Sequence, residues 1–240
     1  MPTALSTPLV AVALSEWHHW GDAAWNVITG STSQGFAIDD DDPFARYVID
    51  TYLPPFYGPA PKWPTVAAIG QDAYPWSAVT ISYFMAQAGL RRKPLLPSKP
   101  APTDAAYKGW VASSQPDEFP WSESHSDYIR WSVRARKDRV PGAAYWGYRV
   151  DEAEAVPAVG DLIGYVRAVK NMSHQKALGW YDKTSGYASH SDLVVAVRPG
   201  EIDVIGGNVR DSVTRKTLKT NAKGQLIDQR HFWFVVMKLR

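Results

Sequence analysis

The chain has 240 residues, with 26 basic against 24 acidic side chains for a formal charge of +2, and 45% of it is apolar, a composition that can bury a core. The charge balance argues against a dedicated nucleic-acid binder. The complete lack of cysteine excludes disulfides, thiolate zinc sites, iron–sulfur clusters and a thiol nucleophile.

At roughly 150 residues per domain, the length fits one domain over residues 1–240 with elaborated loops. Thr7-Pro8 is a good cap and first-turn pair, and Leu9, Val12, Ala13, Glu16, Trp17 and Trp20 recur at helical spacing, which predicts a first helix over Pro8 to Trp20. Its apolar run, Leu9 to Leu14, is too short to span a bilayer and follows no basic segment. Neither a membrane span nor a signal peptide is expected, so action in the periplasm or in a target cell would need another route of delivery. From Ser31 to Pro75, Asp39 to Asp42 and Pro43, Pro54, Pro55, Pro59, Pro61 and Pro64 break the chain, leaving one short helix near Phe44 to Tyr52. Ser77 to Ala88 is the clearest helix, with Ile81, Phe84, Met85 and Ala88 on one apolar stripe and Gly89 placed to end it. Lys93 to Thr103 reads as an extended proline-rich connector, after which Ser122 or Ser124 could cap a helix carrying Tyr128, Ile129 and Trp131.

Beyond Pro157 the period changes from 3.6 to 2, and strands are expected at Leu162 to Val166, His190 to Val197, Ile202 to Ile205, Val213 to Leu218 and Phe232 to Leu239. Turn dipeptides Pro199-Gly200 and Lys223-Gly224 make consecutive hairpins and an antiparallel meander the simplest connection. Helices first (about 1–156) and strands after (about 157–240) is the pattern of an α+β fold. No internal repeat is visible. Arg167 to Ala188, with His174 and Trp180, is a polar insertion placed to act as a lid before His190.

Two readings of Ser77 compete. At the mouth of a helix it is well placed as a nucleophile, because free backbone N–H groups and the helix dipole favour developing negative charge. It is equally a preferred N-cap residue, and one oxygen cannot serve both roles. On the later strand, Asp192, Val194 and Ala196 share a face with His190, while Ser191, Leu193, Val195 and Val197 take the other. If Arg198-Pro199-Gly200 form the loop, Asn208 lies across from His190 as an orienting residue. If only Pro199-Gly200 do, Asn208 faces Ser191 unless a bulge at Gly206-Gly207 restores the alignment.

Pro75-Trp76-Ser77-Ala78, Gly160-Asp161-Leu162, Ser189-His190-Ser191-Asp192 with the apolar run after it, and Gly206-Gly207-Asn208-Val209 followed by Asp211-Ser212-Val213 occur in that order. So do Glu16-Trp17 with Trp20-Gly21, and Phe119 through Ser124-His125 to Tyr128-Ile129. Together they resemble a bacterial family catalogued as domain of unknown function 2272, itself similar to papain-like cell-wall hydrolases of the CHAP and NlpC type. The resemblance implies a papain-like fold, with Ser77 in the place of the usual cysteine, His190 as base and Asn208 as the orienting residue. Serine is not ionised as a cysteine partly is, so it needs a base in contact. In the expected chemistry His190 takes the Ser77 proton, Asn208 or Asp192 holds the ring, and helix-start N–H groups stabilise the oxyanion.

The substrate implied is an amide bond of peptidoglycan, with Trp76, His125 and Asp192 as expected substrate-binding residues. An antibacterial effector would also meet an inhibitory or delivery protein. No cofactor is expected. Two alternatives are an inactive cell-wall or protein-binding module on the same fold, and a glycosidase using Glu16 as general acid. No metal is expected, since His18-His19 point apart on a helix and no His-Glu-x-x-His spacing occurs. Asp39 to Asp42 read as a solvated acidic turn, and the basic excess over Asn208 to Arg230 as a solvated sheet face.

Overall fold

A computed structural model describes residues 3–58, 62–97, 99–167 and 169–240; Pro59, Pro61, Ser98 in the proline-rich connector and Ala168 in the insertion lie outside them. The α-helices are α1 (Ser6–His19), α2 (Asp42–Tyr47), α3 (Pro54–Tyr57), α4 (Val66–Gly70), α5 (Ser77–Gln87), α6 (Asp104–Ala112), α7 (His125–Lys137) and α8 (His174–Leu178). The strands are β1 (Ala24–Asn26), β2 (Thr32–Ser33), β3 (Arg91–Arg92), β4 (Glu118–Phe119), β5 (Tyr145–Arg149), β6 (Leu162–Val166), β7 (Ser189–Arg198), β8 (Glu201–Gly206), β9 (Thr214–Lys219) and β10 (Phe232–Leu239).

Eight strands form one mixed, mostly antiparallel sheet in the order β2-β1-β9-β8-β7-β6-β10-β5, with β1 parallel to β9. The fold is α+β. The expected meander holds from β6 to β9, after which β10 returns to the far side of β6 and carries β5 beyond it. Three features of the helical half differ from expectation, the first being the strands β1 to β5 within it. The stretch before Pro75 holds four turns of helix rather than one, because α2 runs straight into a π-helical turn at Val48–Tyr52 and α3 and α4 follow. The residues after the proline-rich connector form α6, opened by the Thr103 hydroxyl accepting from the Ala106 N–H at 3.2 Å.

The sheet is covered on both faces. Leu162, Leu193, Val195, Ile205, Val235 and Met237 join Leu9 and Ala13 of α1, Val79, Ile81, Phe84 and Met85 of α5 and Ile129 of α7 in one core. Ile163, Val194, Ile202, Val204, Leu218, Trp233 and Val236 make a second core on the opposite face with Val27, Ala155 and Leu226. Strand alternation divides the two sets. α5 lies in the middle of the first core and is buried on nearly every side, including Ser77, Thr80 and Ser82.

The β7–β8 hairpin contains both registers that the sequence allowed. Arg198 pairs with Glu201 across a Pro199-Gly200 loop, and a bulge at Val195 then shifts the ladder so that Leu193 pairs with Ile205. The bulge is therefore upstream of the expected position. The ladder stops at Gly206, where an added Cβ would lie 2.1 Å from Asp192 Oδ1 and 3.0 Å from His190 Nε2. Gly207 is equally tight, since its Cβ would meet Thr80 Oγ1 of α5 at 2.2 Å.

Candidate active site: a buried serine–histidine pair

Ser77 is the first residue of α5, and Trp76 occupies the cap position without a side-chain cap bond. The serine hydroxyl is thus not used for capping. It bonds instead to His125 Nε2 at 2.7 Å. His125 in turn opens α7, and a serine pair brings the two helix starts together: the Ser82 hydroxyl donates to the Ser122 carbonyl at 3.1 Å and accepts from the Ser122 N–H at 3.0 Å. Ser122 also accepts from the Ser124 N–H at 3.0 Å and donates to Asp127 at 2.7 Å, which shapes the entry to α7.

The other edge of the His125 ring is held from the sheet. Nδ1 lies 2.7 Å from Ser191 Oγ and in contact with the Tyr128 hydroxyl, and those two hydroxyls are 2.8 Å apart. In the tautomer whose Nδ1–H donates to Ser191, Nε2 accepts the Ser77 proton. Burial, followed by the neighbouring His190, holds His125 protonation well below the ordinary histidine range. The imidazole is therefore neutral at neutral pH. Ser77, Ala78 and Val79, as the first turn of a helix, have no intrahelical acceptor for their N–H groups.

His190 does not take the base position expected for it. Its neighbours Ser191, Leu193 and Val195 face α5, so alternation places His190 and Asp192 on the opposite face, with Val194 and Ile163. There His190 Nε2 donates to Asp192 Oδ1 at 3.1 Å, and Lys216 Nζ lies 2.7 Å from Asp192 Oδ2. All three side chains are fully buried. Burial opposes the Asp192 charge, yet Lys216 and His190 overcome it and hold the carboxyl below its usual range. Burial pushes His190 down to about 4 against the pull of Asp192. The rings of His125 and His190 lie 4.9 Å apart between centroids and are tilted at 43° to each other.

Asn208 is not across from His190 in the ladder. It falls after the end of β8 with φ of +52°, and Arg210 and Asp211 nearby also have positive φ, +56° and +61°. Trp76 is not on a cleft wall either: it is fully buried, stacked 4.9 Å from Trp20, and its indole N–H donates to Asp39 at 2.5 Å. Asp39 is correspondingly buried rather than solvated, and burial pushes its carboxyl up to about 7, with Asp211, Asp40 and Asp72 adding to the effect and the Trp76 bond opposing it. Lys216 likewise sits in the interior, not on a solvated sheet face. Glu16 accepts hydrogen bonds from the Tyr52 hydroxyl at 2.7 Å and the Tyr47 hydroxyl at 3.2 Å, the arrangement of a structural carboxylate.

Sequence reasoning missed Tyr128, Ser191 and Ser82. Ser191 carried a usable signal, because its parity with Leu193 and Val195 marks it as facing whatever those residues pack against. A groove of about 1000 Å³ runs beside the start of α7, lined in part by Tyr57, Trp121, Glu123, Ser124, Asp127 and Tyr107. The 167–188 insertion supplies a wall of it through Thr184 and Gly186 and is docked on α7, where Arg130 donates to the Thr184 carbonyl. Ser77 and His125 do not line the groove and are only 2% and 5% exposed.

Among the described residues, no group of three or more His, Asp or Glu side chains is placed to hold a metal ion, and no helix is long and apolar enough to cross a membrane. No curated protein and no solved structure matches the chain. Residues 96–239 match the family described as an uncharacterized protein conserved in bacteria (DUF2272), a stretch that includes His125, Tyr128, Ser191, Asp192 and Lys216 and begins after Ser77. The chain belongs to that family.

Proposed function

We propose that the protein is a hydrolase of papain-like type that cleaves amide bonds, with Ser77 as nucleophile and His125 as general base. The observation that carries this reading is the 2.7 Å contact between Ser77 Oγ and His125 Nε2 at the N–H end of a buried helix. Ser77 Oγ attacks the carbonyl carbon while its proton passes to His125 Nε2, and first-turn N–H groups of α5 stabilise the oxyanion. Collapse of the tetrahedral intermediate expels the amine, which takes the proton from His125. Water then hydrolyses the acyl-enzyme with the same imidazole as base. Ser191 and Tyr128 hold the ring but offer no negative charge to the imidazolium, so this arrangement is weaker than a triad ended by a carboxylate.

Peptidoglycan as substrate rests on the resemblance to cell-wall hydrolases drawn from the sequence motifs, and the aromatic groove beside α7 is large enough for a peptide or sugar chain. The test is incubation with purified sacculi and mass spectrometry of the soluble fragments. Wild type is expected to release fragments with new free amines and carboxylates, and Ser77→Ala to release none. A second reading, a wall-binding module without chemistry, is favoured by the near-complete burial of Ser77. Sacculi that carry bound wild-type protein to the pellet yet stay undigested would select it.

A further inference from the structure

The segments that carry the nucleophile and the base are joined twice. On the buried side the link is Ser82 to Ser122, where both partners are at most 3% exposed. On the groove side a second link uses different chemistry. Glu123, two residues before His125, accepts hydrogen bonds from the hydroxyls of Tyr74, three residues before Ser77, and Tyr57 at the end of α3. Tyr57 and Glu123 line the groove, whereas Ser77 and His125 do not. Burial first, and then the Glu123 carboxylate, push the Tyr57 phenol up to about 12, so it remains a donor at neutral pH.

We propose that Tyr57, Glu123 and Tyr74 form a latch that closes the Ser77–His125 pair off from the groove, and that a ligand in the groove reaches the pair only when this latch opens. Tyr57 is half exposed, so a ligand can compete for its hydroxyl from solvent. The buried Ser82–Ser122 link acts as the hinge, and the carboxylate link is the part that lets go. Two hydrogen bonds to one carboxylate, one of them at the surface, are few enough to break locally while the sheet stays intact. The latch as a control on catalysis rests on the reading of Ser77 as nucleophile; the latch as a closure does not.

Hydrogen exchange separates the two. Amide exchange is followed at residues 74–80 and 122–128 in wild type, Tyr57→Phe and Glu123→Gln, with β7 and β8 amides as the internal control. Labelling of Ser77 by an alkyl fluorophosphonate is followed in parallel by intact mass; there Ser77 Oγ bonds to phosphorus, fluoride leaves and the proton passes to His125. Exchange in the two segments is expected to rise at least about fivefold in both variants with the control unchanged, and labelling to rise by a similar factor. Unchanged exchange would overturn the latch whatever the labelling does, and faster exchange with labelling as slow as in wild type would overturn its role as a gate. Faster exchange with no labelling of any form would leave the closure standing and remove the nucleophile instead. Tyr57→Phe, at a half-exposed site, keeps the fold testable if Glu123→Gln weakens it.

Discussion

Ser77 stands one residue after the cap position, which Trp76 holds. That offset frees its hydroxyl for His125 and leaves a buried imidazole nitrogen dependent on it. Ser77→Ala is therefore expected to lower stability by about 1–3 kcal/mol, the usual cost of orphaning a buried acceptor, while the protein still folds and loses all hydrolysis; denaturant titration beside the sacculus digest checks both. Because burial and His190 depress His125, the base stays neutral well into mild acid. The acid limb of the pH–rate profile should lie below the ordinary histidine range near 6.5, and a limb at or above it would point to a different base. Asp39 offers a stability test of opposite sign. Its folded pKa, about 7, is raised above its ordinary value of 3.8, so its contribution is fully present below about 4 and is lost as pH rises toward 7. Asp39→Asn does not titrate, and its stability relative to wild type should grow over that interval and then level off, as read from midpoints at a series of pH values.

At the scale of the element, what decided the site was which face of β7 meets the helices. The strand boundaries were visible in the period-2 pattern, and β6 and β10 match their expected spans. The face was not visible, because β7 is apolar on both sides and each set has its own core. Parity groups Ser191 with Leu193 and Val195 and His190 with Asp192 and Val194, but it does not say which group meets α5. The strands β1, β2 and β5 were missed for a related reason: two or three partly or fully exposed residues in β1 and β2, and a five-residue edge strand in β5, give too little period to read. Two substitutions test this arrangement. Gly206→Ala would drive a methyl group into Asp192 and His190 and is expected to cost about 1–3 kcal/mol of stability by overpacking. Lys216→Met strands the Asp192 carboxylate in the second core and is expected to cost about 3–5 kcal/mol, with much of the loss recovered when Asp192→Asn is added. Recovery in the double variant, measured by chemical denaturation, separates the lost ion pair from lost packing.

For the whole molecule, the helical and sheet halves that the sequence separated are one packing unit around the first core. α1 and α5 supply Leu9, Ala13, Val79, Phe84 and Met85 to the same cluster as Leu193, Ile205 and Val235. The family match starts at residue 96 and so omits both helices. A fragment of residues 96–240 keeps α7 on the sheet but loses α1 and α5, exposing the part of the first core that they cover, and it is expected to lack fixed tertiary packing, with near-UV circular dichroism lost. A fragment with native-like near-UV signal would contradict that. The same division runs through the site: the proposed nucleophile, Ser77, comes from the segment outside the match, and His125, Tyr128 and Ser191 from within it. The central claim is that Ser77 Oγ is activated by His125. Intact-mass analysis after exposure to an alkyl fluorophosphonate tests it most directly. A single adduct on Ser77 is expected, which His125→Ala abolishes and His190→Ala does not; an adduct that survives His125→Ala, lies elsewhere, or never forms would overturn the assignment of His125 as base.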